Sequence, residues 1–256
     1  MRIPITQSVM LLLMVVLAAS ACKGPRQLAA PENVREFETG MLEGFVPFNA
    51  LPNSLLIIPP PPSEGSAAFE TDLAANQAIL ESTDSARWAQ ASRDAILYFP
   101  EAMESFNAIV GIEINRETTP HLYTLLRRTL TDAALSTYRA KKHYQRPRPF
   151  MVNGQATCTP EDESHLSDGS YPSGHAAIGW AWALILCEIF PEKCNQILDR
   201  GRAFGNSRAI CNVHWQSDVD EGRTMGAVTV ARLHASPVFQ ANLKAAKKEV
   251  KAIKAR

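Results

Sequence analysis

The sequence lacks an excess of charge of either sign. Its 256 residues include 26 Lys and Arg and 26 Asp and Glu, so the formal net charge at pH 7 is zero. A chain without net charge does not attract nucleic acid or anionic lipid over its whole surface, and we therefore expect no nucleic-acid partner. Any function that depends on charge must come from a local cluster.

Long hydrophobic runs are also scarce in this chain. The apolar run at residues 9–17 is too short to span a bilayer. It follows a basic residue and precedes small residues at 18–21, which is typical of an export signal over residues 1–21. Cys22 then stands where an exported lipoprotein carries its lipid, although Ala19 replaces the usual leucine, so simple cleavage and lipidation both remain open. We expect a periplasmic or secreted protein, anchored to a membrane if Cys22 is lipidated.

Cysteine is scarce, and the five cysteines include no C-x-x-C pair, which argues against a structural zinc site. In an oxidising compartment the four that follow Cys22 predict disulfides, for which three full pairings exist. Cys158 and Cys194 form the better pair, because both lie beside polar segments. Cys187 lies in an apolar run and is interpreted as a buried thiol, and Cys211 completes the set.

Alternating β-branched residues are rare, whereas helical apolar periodicity begins at Ala67 and continues to the C-terminus. We therefore expect an all-α, single-domain helical bundle over residues 67–256, preceded by an extended, proline-rich arm over residues 22–66. Thr119 and Ser236 each precede a proline and are predicted to cap helices. Helices are predicted over residues 67–80, 84–98, 101–112, 120–143, 175–190, 192–205, 215–234 and 237–253.

The helix predicted over residues 175–190 is apolar nearly all round, which indicates a central buried helix. The segment before it, residues 147–172, is rich in Pro, Gly, Asn, Asp and Ser and is too long for a simple connector. We expect this loop to serve the function of the protein.

Three segments carry unusual residue sets. Residues 141–149 (KKHYQRPRP) place cations where a long helix enters the loop. Residues 169–175 (GSYPSGH) form a glycine turn at a helix start, where backbone N–H groups can surround an anion. In the third segment, His214 and Asp218 are four residues apart, so the carboxylate can hold one ring nitrogen and leave the other free. Each segment taken alone has an ordinary structural explanation.

Together the three segments supply the parts needed for phosphoryl transfer. Three cations, Lys141, Arg148 and Arg208, can stabilise charge on the phosphoryl oxygens together with backbone N–H groups. One neutral imidazole can attack phosphorus, and a second can protonate the leaving oxygen. This chemistry requires neither Mg²⁺ nor another cofactor.

The three motifs K-x6-R-P, P-S-G-H and S-R-x5-H-x3-D occur here in order and without a gap. This pattern resembles the signature of the type 2 phosphatidic acid phosphatase superfamily. Within it, GSYPSGH and CNVHWQSDVDEGR resemble the bacterial class A nonspecific acid phosphatases, over most of residues 40–250.

The resemblance implies a role for each matching residue. His214 would be the nucleophile that forms a phosphohistidine, Asp218 its orienting carboxylate, and His175 the general acid and then the base. Lys142 and Arg146 do not fit the motif spacing and receive no role. The residues implied to bind phosphate are Lys141, Arg148, Ser173, Gly174 and Arg208.

The resemblance thus implies an exported, metal-independent acid phosphatase of broad specificity for small-molecule phosphomonoesters, with some transfer to alcohols. A vanadium haloperoxidase shares the three motifs, but the small size and the class A features argue against it. A noncatalytic phosphate-binding module would be expected to lose His214 or Asp218, and a membrane lipid phosphatase needs several transmembrane helices. The arm and the apolar helices suggest a homo-oligomer.

Overall fold

The computed structural model describes residues 33–38, 40–166 and 169–255, and the fold over these ranges is all-α. Two short strands, β1 (Glu36–Glu38) and β2 (Met41–Leu42), pair in antiparallel fashion within the arm. The expected all-α, single-domain bundle is confirmed. The α-helices are α1 (Ser54–Ile57), α2 (Ala67–Ser82), α3 (Ser85–Arg93), α4 (Glu104–Val110), α5 (Pro120–Ser136), α6 (Tyr138–Tyr144), α7 (Pro149–Asn153), α8 (Gly174–Ile189), α9 (Cys194–Ile210), α10 (Gln216–His234) and α11 (Pro237–Lys254).

Helix α8 lies at the centre of the bundle, as its apolar composition predicts. It packs against α5, α9 and α10. Trp182 is fully buried on α8 and donates a hydrogen bond from Nε1 to the Leu126 carbonyl of α5 at 2.9 Å. The rings of Phe106 and Phe204 pack around the Trp182 indole. Over the described ranges, we find no helix with the length and apolarity required to cross a membrane.

Two glycines bring the backbone of α10 against the start of α8. A Cβ on Gly222 would collide with the carbonyl oxygen of Ser173, and a Cβ on Gly226 would lie 2.5 Å from the carbonyl oxygen of Ala177. The Ser173 amide also donates to the carbonyl of Asp218 at 2.8 Å. The N-terminal ends of α8 and α10 are therefore held together, and both ends carry motif residues.

The predicted helices are present, but several boundaries differ: α3 ends at Arg93 instead of residue 98, and α9 continues to Ile210 instead of ending at residue 205. The helix predicted over residues 120–143 is divided at Thr137 into α5 and α6. Ser236 caps α11 as predicted, by accepting a hydrogen bond from the Phe239 amide. Thr119, by contrast, does not cap α5 with its side chain. The carboxylate of Glu249 on α11 accepts from two first-turn amides instead, because an anion near a helix N-terminus is favoured by the helix dipole.

The described part of the arm wraps around the bundle. The Phe45 amide donates to Asp132 of α5 at 2.7 Å, and Arg128 of α5 donates to the carbonyls of Glu43 and Gly44. The arm is more structured than a purely extended segment, since it contains β1, β2 and α1. The predicted export signal and Cys22 lie outside the described residues.

The predicted disulfide pairing is wrong. Cys158 is bonded to Cys211, and Cys187 is bonded to Cys194, so Cys187 is not the buried thiol that its apolar surroundings suggested. The short 3₁₀ turn at Pro191–Lys193 brings the end of α8 beside the start of α9, which places Cys187 next to Cys194. The other bond joins the loop before α8 to the turn after α9.

Candidate active site

The three sequence motifs meet at one end of the bundle. Lys141 comes from the last turn of α6, and Arg148 precedes α7. Ser173 and Gly174 begin α8, and Arg208 lies in the last turn of α9. The two histidines and Asp218 lie in the same region. The structure thus brings together every residue that the motifs single out for a direct role.

His214 is buried between a carboxylate and a guanidinium. Its Nδ1 lies 3.4 Å from Oδ2 of Asp218, and its Nε2 lies 3.2 Å from Nη1 of Arg148. Arginine can only donate hydrogen bonds, so this contact requires Nε2 to be unprotonated and places the ring proton on Nδ1. The lone pair of this ring therefore lies on Nε2.

Asp218 is fully buried and accepts hydrogen bonds from several donors. Its Oδ2 accepts from the Trp215 amide at 2.8 Å, and its Oδ1 accepts from Nη1 of Arg146 at 2.7 Å. Burial raises the pKa of Asp218, while Arg146 and the Trp215 amide oppose this shift. These donors have the arrangement that stabilises an ionised carboxylate directed at His214.

The turn that presents His214 is held rigidly. Asn212 adopts a left-handed conformation with φ of 60°, which asparagine tolerates better than most residues. Its side-chain amide exchanges hydrogen bonds with Asn153 and accepts one from Asn76 at 3.1 Å. The neighbouring Cys211 is tied to the loop by its disulfide. The position of His214 is thus defined by contacts from α2, α7 and the loop.

The second histidine, His175, lies in the first turn of α8. Its Nε2 is 3.0 Å from the carbonyl oxygen of Ala95, which follows α3. Since a carbonyl only accepts, Nε2 carries a proton in this arrangement. Burial lowers the pKa of His175 well below its usual value, and Arg208 lowers it further. The pKa of His214 is lowered in the same way, by burial and then by Arg148.

Three cations surround the histidines and are themselves buried. Lys141, Arg148 and Arg208 have relative exposures of 6%, 2% and 2%. Buried cations this close together are stabilised when an anion lies among them. The cluster therefore has the charge of an anion-binding site, and its field lowers the pKa of both histidines.

Gly169 organises two of these cations. Its carbonyl oxygen accepts from Nζ of Lys141 and from Nη2 of Arg148, each at 3.1 Å. Its φ of 79° favours glycine, and a Cβ here would lie only 3.0 Å from Cα of Gln145. A side chain at residue 169 would thus displace the carbonyl that aligns the two cations.

The N-terminal residues of α8 contribute polar groups to the site. The hydroxyl oxygen of Ser173 accepts from the Ala176 amide at 3.2 Å and caps the helix. Gly174 leaves space beside it, since an added Cβ would lie 4.0 Å from Cε of Lys141. Lys141 therefore stands next to the positive end of the α8 dipole, an environment that favours a bound anion.

Sequence reasoning missed two contributors to this site. Arg146 received no role because it does not fit the motif spacing, yet it contacts Asp218 directly. Asp72 of α2 accepts from Nη2 of Arg146 at 2.8 Å and belongs to no motif. The clustering of Arg146 with Arg148 was the available signal for the first residue. Asp72 gave no local signal.

Ser207, which belongs to the third motif, takes part in a separate network. It donates to Oδ2 of Asp94 at 2.5 Å, and Asp94 forms an ion pair with Arg200. Arg87 of α3 donates to the Ser207 hydroxyl at 3.0 Å. This network joins α9 to α3 and thereby supports the position of the adjacent Arg208.

Comparisons with known proteins agree with this geometry. The PAP2 superfamily matches residues 119–240, a range that contains the three motifs. A non-specific acid phosphatase of Salmonella typhimurium is 42% identical over 200 residues, covering 77% of this chain and 80% of the relative. One from Providencia stuartii is 44% identical over 206 residues, covering 79% and 82%. An acid phosphatase of Zymomonas mobilis subsp. mobilis is 38% identical over 197 residues, covering 77% and 75%.

Proposed function

We propose that this chain, which belongs to the non-specific acid phosphatases of the PAP2 superfamily, hydrolyses phosphomonoesters through a phosphohistidine formed on His214. Membership of this family makes the chain an acid phosphatase. The observation that carries the proposed mechanism is the placement of Nε2 of His214, unprotonated and 3.2 Å from Nη1 of Arg148.

In the first step, the Nε2 lone pair of His214 attacks phosphorus and the bond between phosphorus and the ester oxygen breaks. Asp218 holds the Nδ1 proton of His214 and stabilises the positive charge that the ring acquires. His175 in its imidazolium form gives a proton to the departing oxygen. An alcohol leaves, and the phosphoryl group remains on His214.

In the second step, water attacks the phosphohistidine. His175, now neutral, accepts a proton from the water as the bond between nitrogen and phosphorus breaks. Inorganic phosphate is released, and both histidines return to their starting states. An alcohol in place of water would give a new phosphomonoester, so we also propose phosphotransferase activity.

Phosphate binding is assigned to Lys141, Arg148, Arg208 and the turn of Ser173 and Gly174. The burial of the three cations supports this assignment, since a phosphoryl group spreads its charge over three oxygens. Because these contacts stabilise charge by position, we propose that no metal ion takes part.

The low pKa of His175 supports an acid optimum. A general acid must be protonated, and burial and Arg208 disfavour its protonation. The reactive state of the free enzyme therefore becomes more populated as the pH falls. A bound phosphate dianion raises the pKa of His175 again, so turnover extends to higher pH than the free ring would allow.

Broad specificity for the leaving group is proposed from the family, because relatives that are 42% and 44% identical to this chain are called non-specific acid phosphatases.

Export, anchoring and assembly are proposed from the sequence. The segment over residues 1–21 supports export to the periplasm or the medium, and Cys22 is the candidate site of a lipid anchor. The mass of the mature N-terminal peptide tests both features. Light scattering tests the proposed homo-oligomer.

The mechanism is tested by trapping the intermediate. The mature protein is mixed with a ³²P-labelled aryl phosphate in excess EDTA and quenched in alkali, where phosphohistidine survives. We expect a label that is lost in acid and is absent from His214→Ala. His234→Ala is the matched control, since His234 pairs with Glu188 away from the three motifs, and it should retain the label. Turnover by His214→Ala, or loss of turnover in EDTA, would contradict the mechanism.

A further inference from the structure

A closed network of four polar groups, three of them buried, lies behind the His214–Asp218 pair. Arg146 donates from Nη1 to Asp218 at 2.7 Å and from Nη2 to Asp72 at 2.8 Å. Nη1 also donates to the Ser217 hydroxyl at 2.8 Å, and that hydroxyl donates to Asp72 at 2.5 Å. The side chains of both ion pairs are at most 6% exposed. Solvent therefore screens these contacts little.

Two aromatic rings also pack against the guanidinium of Arg146. Its Cζ lies 5.3 Å from the centroid of the Trp215 ring and 5.9 Å from that of Phe69. Asp72 is fixed in turn, because its Oδ1 accepts from the Ser217 amide at 3.0 Å. Helix α2 thus reaches the catalytic turn through a side chain that does not touch His214.

The two carboxylate oxygens of Asp218 have different partners. Oδ1 is occupied by Arg146, while Oδ2 faces Nδ1 of His214 and accepts from the Trp215 amide. Without the guanidinium, a fully buried carboxyl group would take up a proton or rotate. Either change would remove the acceptor that sets the proton position on His214.

From this geometry we propose that Arg146, held by Asp72, is a positioning residue that keeps Asp218 ionised and its Oδ2 directed at His214. The inference rests on the proposed role of His214 as nucleophile. Two carboxylates share one guanidinium, so the network carries one net negative charge beside the ring. That charge favours the positive charge that His214 acquires when it is phosphorylated.

The test uses three variants, Arg146→Met, Arg146→Lys and Asp72→Asn. The control is Arg128→Met, since Arg128 is also buried but binds arm carbonyls. Values of kcat and KM are measured from about pH 4 to 8 with an aryl phosphate. We expect Arg146→Met to lower kcat about 10²-fold, the scale of a small misplacement of a reacting group, with KM within about twofold of wild type. Arg146→Lys should recover part of this loss, and Asp72→Asn should show a smaller loss.

The pH profile distinguishes positioning from general stability. Activity falls at low pH when Asp218 becomes protonated, and we call this part of the pH profile the acid limb. Because removal of Arg146 raises the pKa of Asp218, the acid limb should move up by about one pH unit or more. The other charged or titratable groups near Asp218, namely Asp72, Arg148, His214 and Tyr171, are unchanged in the Arg146 variants. A merely structural role would lower the fraction of active enzyme, counted by the burst of released phenol, and leave the limb in place. Arg128→Met should behave in that way.

Circular dichroism and melting temperature identify the folded variants. If Arg146→Met does not fold, Asp72→Asn and Arg146→Lys decide the matter, because Asp72→Asn preserves the shape of the side chain and Arg146→Lys preserves its charge. An unmoved acid limb in both variants would overturn the inference, as would a limb that moves equally in Arg128→Met. His214→Ala is assayed in parallel. If it turns over substrate, the proposed mechanism fails; if it is inactive while the limb stays in place, only the positioning role fails.

Discussion

The two ends of helix α8 are built from different interactions. Its N-terminal end, from Gly174, meets buried cations, two histidines and the turn of Cys211, and it is held by directional hydrogen bonds. Its C-terminal end reaches the buried ring of Phe190 and is linked to α9 by the Cys187–Cys194 disulfide. Polar contacts at that end are surface pairs such as Glu188 with His234.

This difference separates two requirements within one helix. Directional contacts fix the positions of reacting groups, and a small displacement among them costs rate. Apolar packing and loop closure contribute to the free energy of unfolding and tolerate small displacements better. Changes at the N-terminal end should therefore affect activity first, and changes at the C-terminal end should affect stability alone.

The largest effect is expected from a substitution at the N-terminal end of α8. In His175→Ala the leaving oxygen receives no proton, so kcat/KM for an alkyl phosphate should fall about 10²- to 10⁴-fold. A nitrophenyl phosphate should lose much less, because its leaving oxygen is stable without a proton. Both substrates are assayed at the pH optimum. An equal loss for the two esters would rule out His175 as the proton donor.

The second prediction removes the disulfide at the same end. The Cys158–Cys211 bond spans 53 residues, so the double variant Cys158→Ala/Cys211→Ala should lose about 4 kcal/mol of unfolding free energy. The bond also anchors the turn that carries His214, so kcat should fall as well, by about tenfold. Denaturant unfolding and steady-state kinetics of the folded protein measure the two losses. Unchanged kcat would show that the amide contacts of Asn212 hold the turn by themselves.

The third prediction removes the disulfide at the other end. Cys187–Cys194 spans only 7 residues, and the double variant Cys187→Ala/Cys194→Ala should lose about 2 to 3 kcal/mol. Values of kcat and KM should equal those of wild type, because this disulfide does not hold any of the motif residues in position. A fall in kcat comparable to that of the other double variant would remove the proposed distinction between the ends.

The two ends also differ in how much of them the sequence predicts. The position of α8 follows from its apolar composition, and the convergence of Lys141, Arg148 and His214 follows from motifs that imply one anion site. The role of Arg146 and the cap on α5 could not be predicted from the sequence, because Asp72 and Glu249 come from distant parts of the chain. The disulfide pairing could not be predicted either, because the polarity of the residues around Cys187 does not show that a tight turn places it beside Cys194.

The last prediction concerns the arm, whose pH dependence must be separated from that of the site. Burial raises the pKa of Asp132 to about 7, against the opposing effects of the Phe45 and Val46 amides, Arg128 and Arg232. The folded protein then binds a proton that the unfolded chain releases near pH 4, so stability falls as the pH rises through 7. Between pH 5 and 8 this amounts to about 2.6 kcal/mol.

Asp132→Asn should remove this pH dependence from the unfolding free energy and leave the pH profile of kcat unchanged. The exposed substitution Glu101→Gln serves as the control and should retain the dependence of wild type. If the slope between pH 5 and 8 persists in Asp132→Asn, the titrating group lies elsewhere, and the buried Asp94 beside Arg200 is next to be replaced, since burial raises its pKa as well. If the kcat profile shifts instead, the arm is coupled to the catalytic end of α8, and the separation of stability from activity fails there.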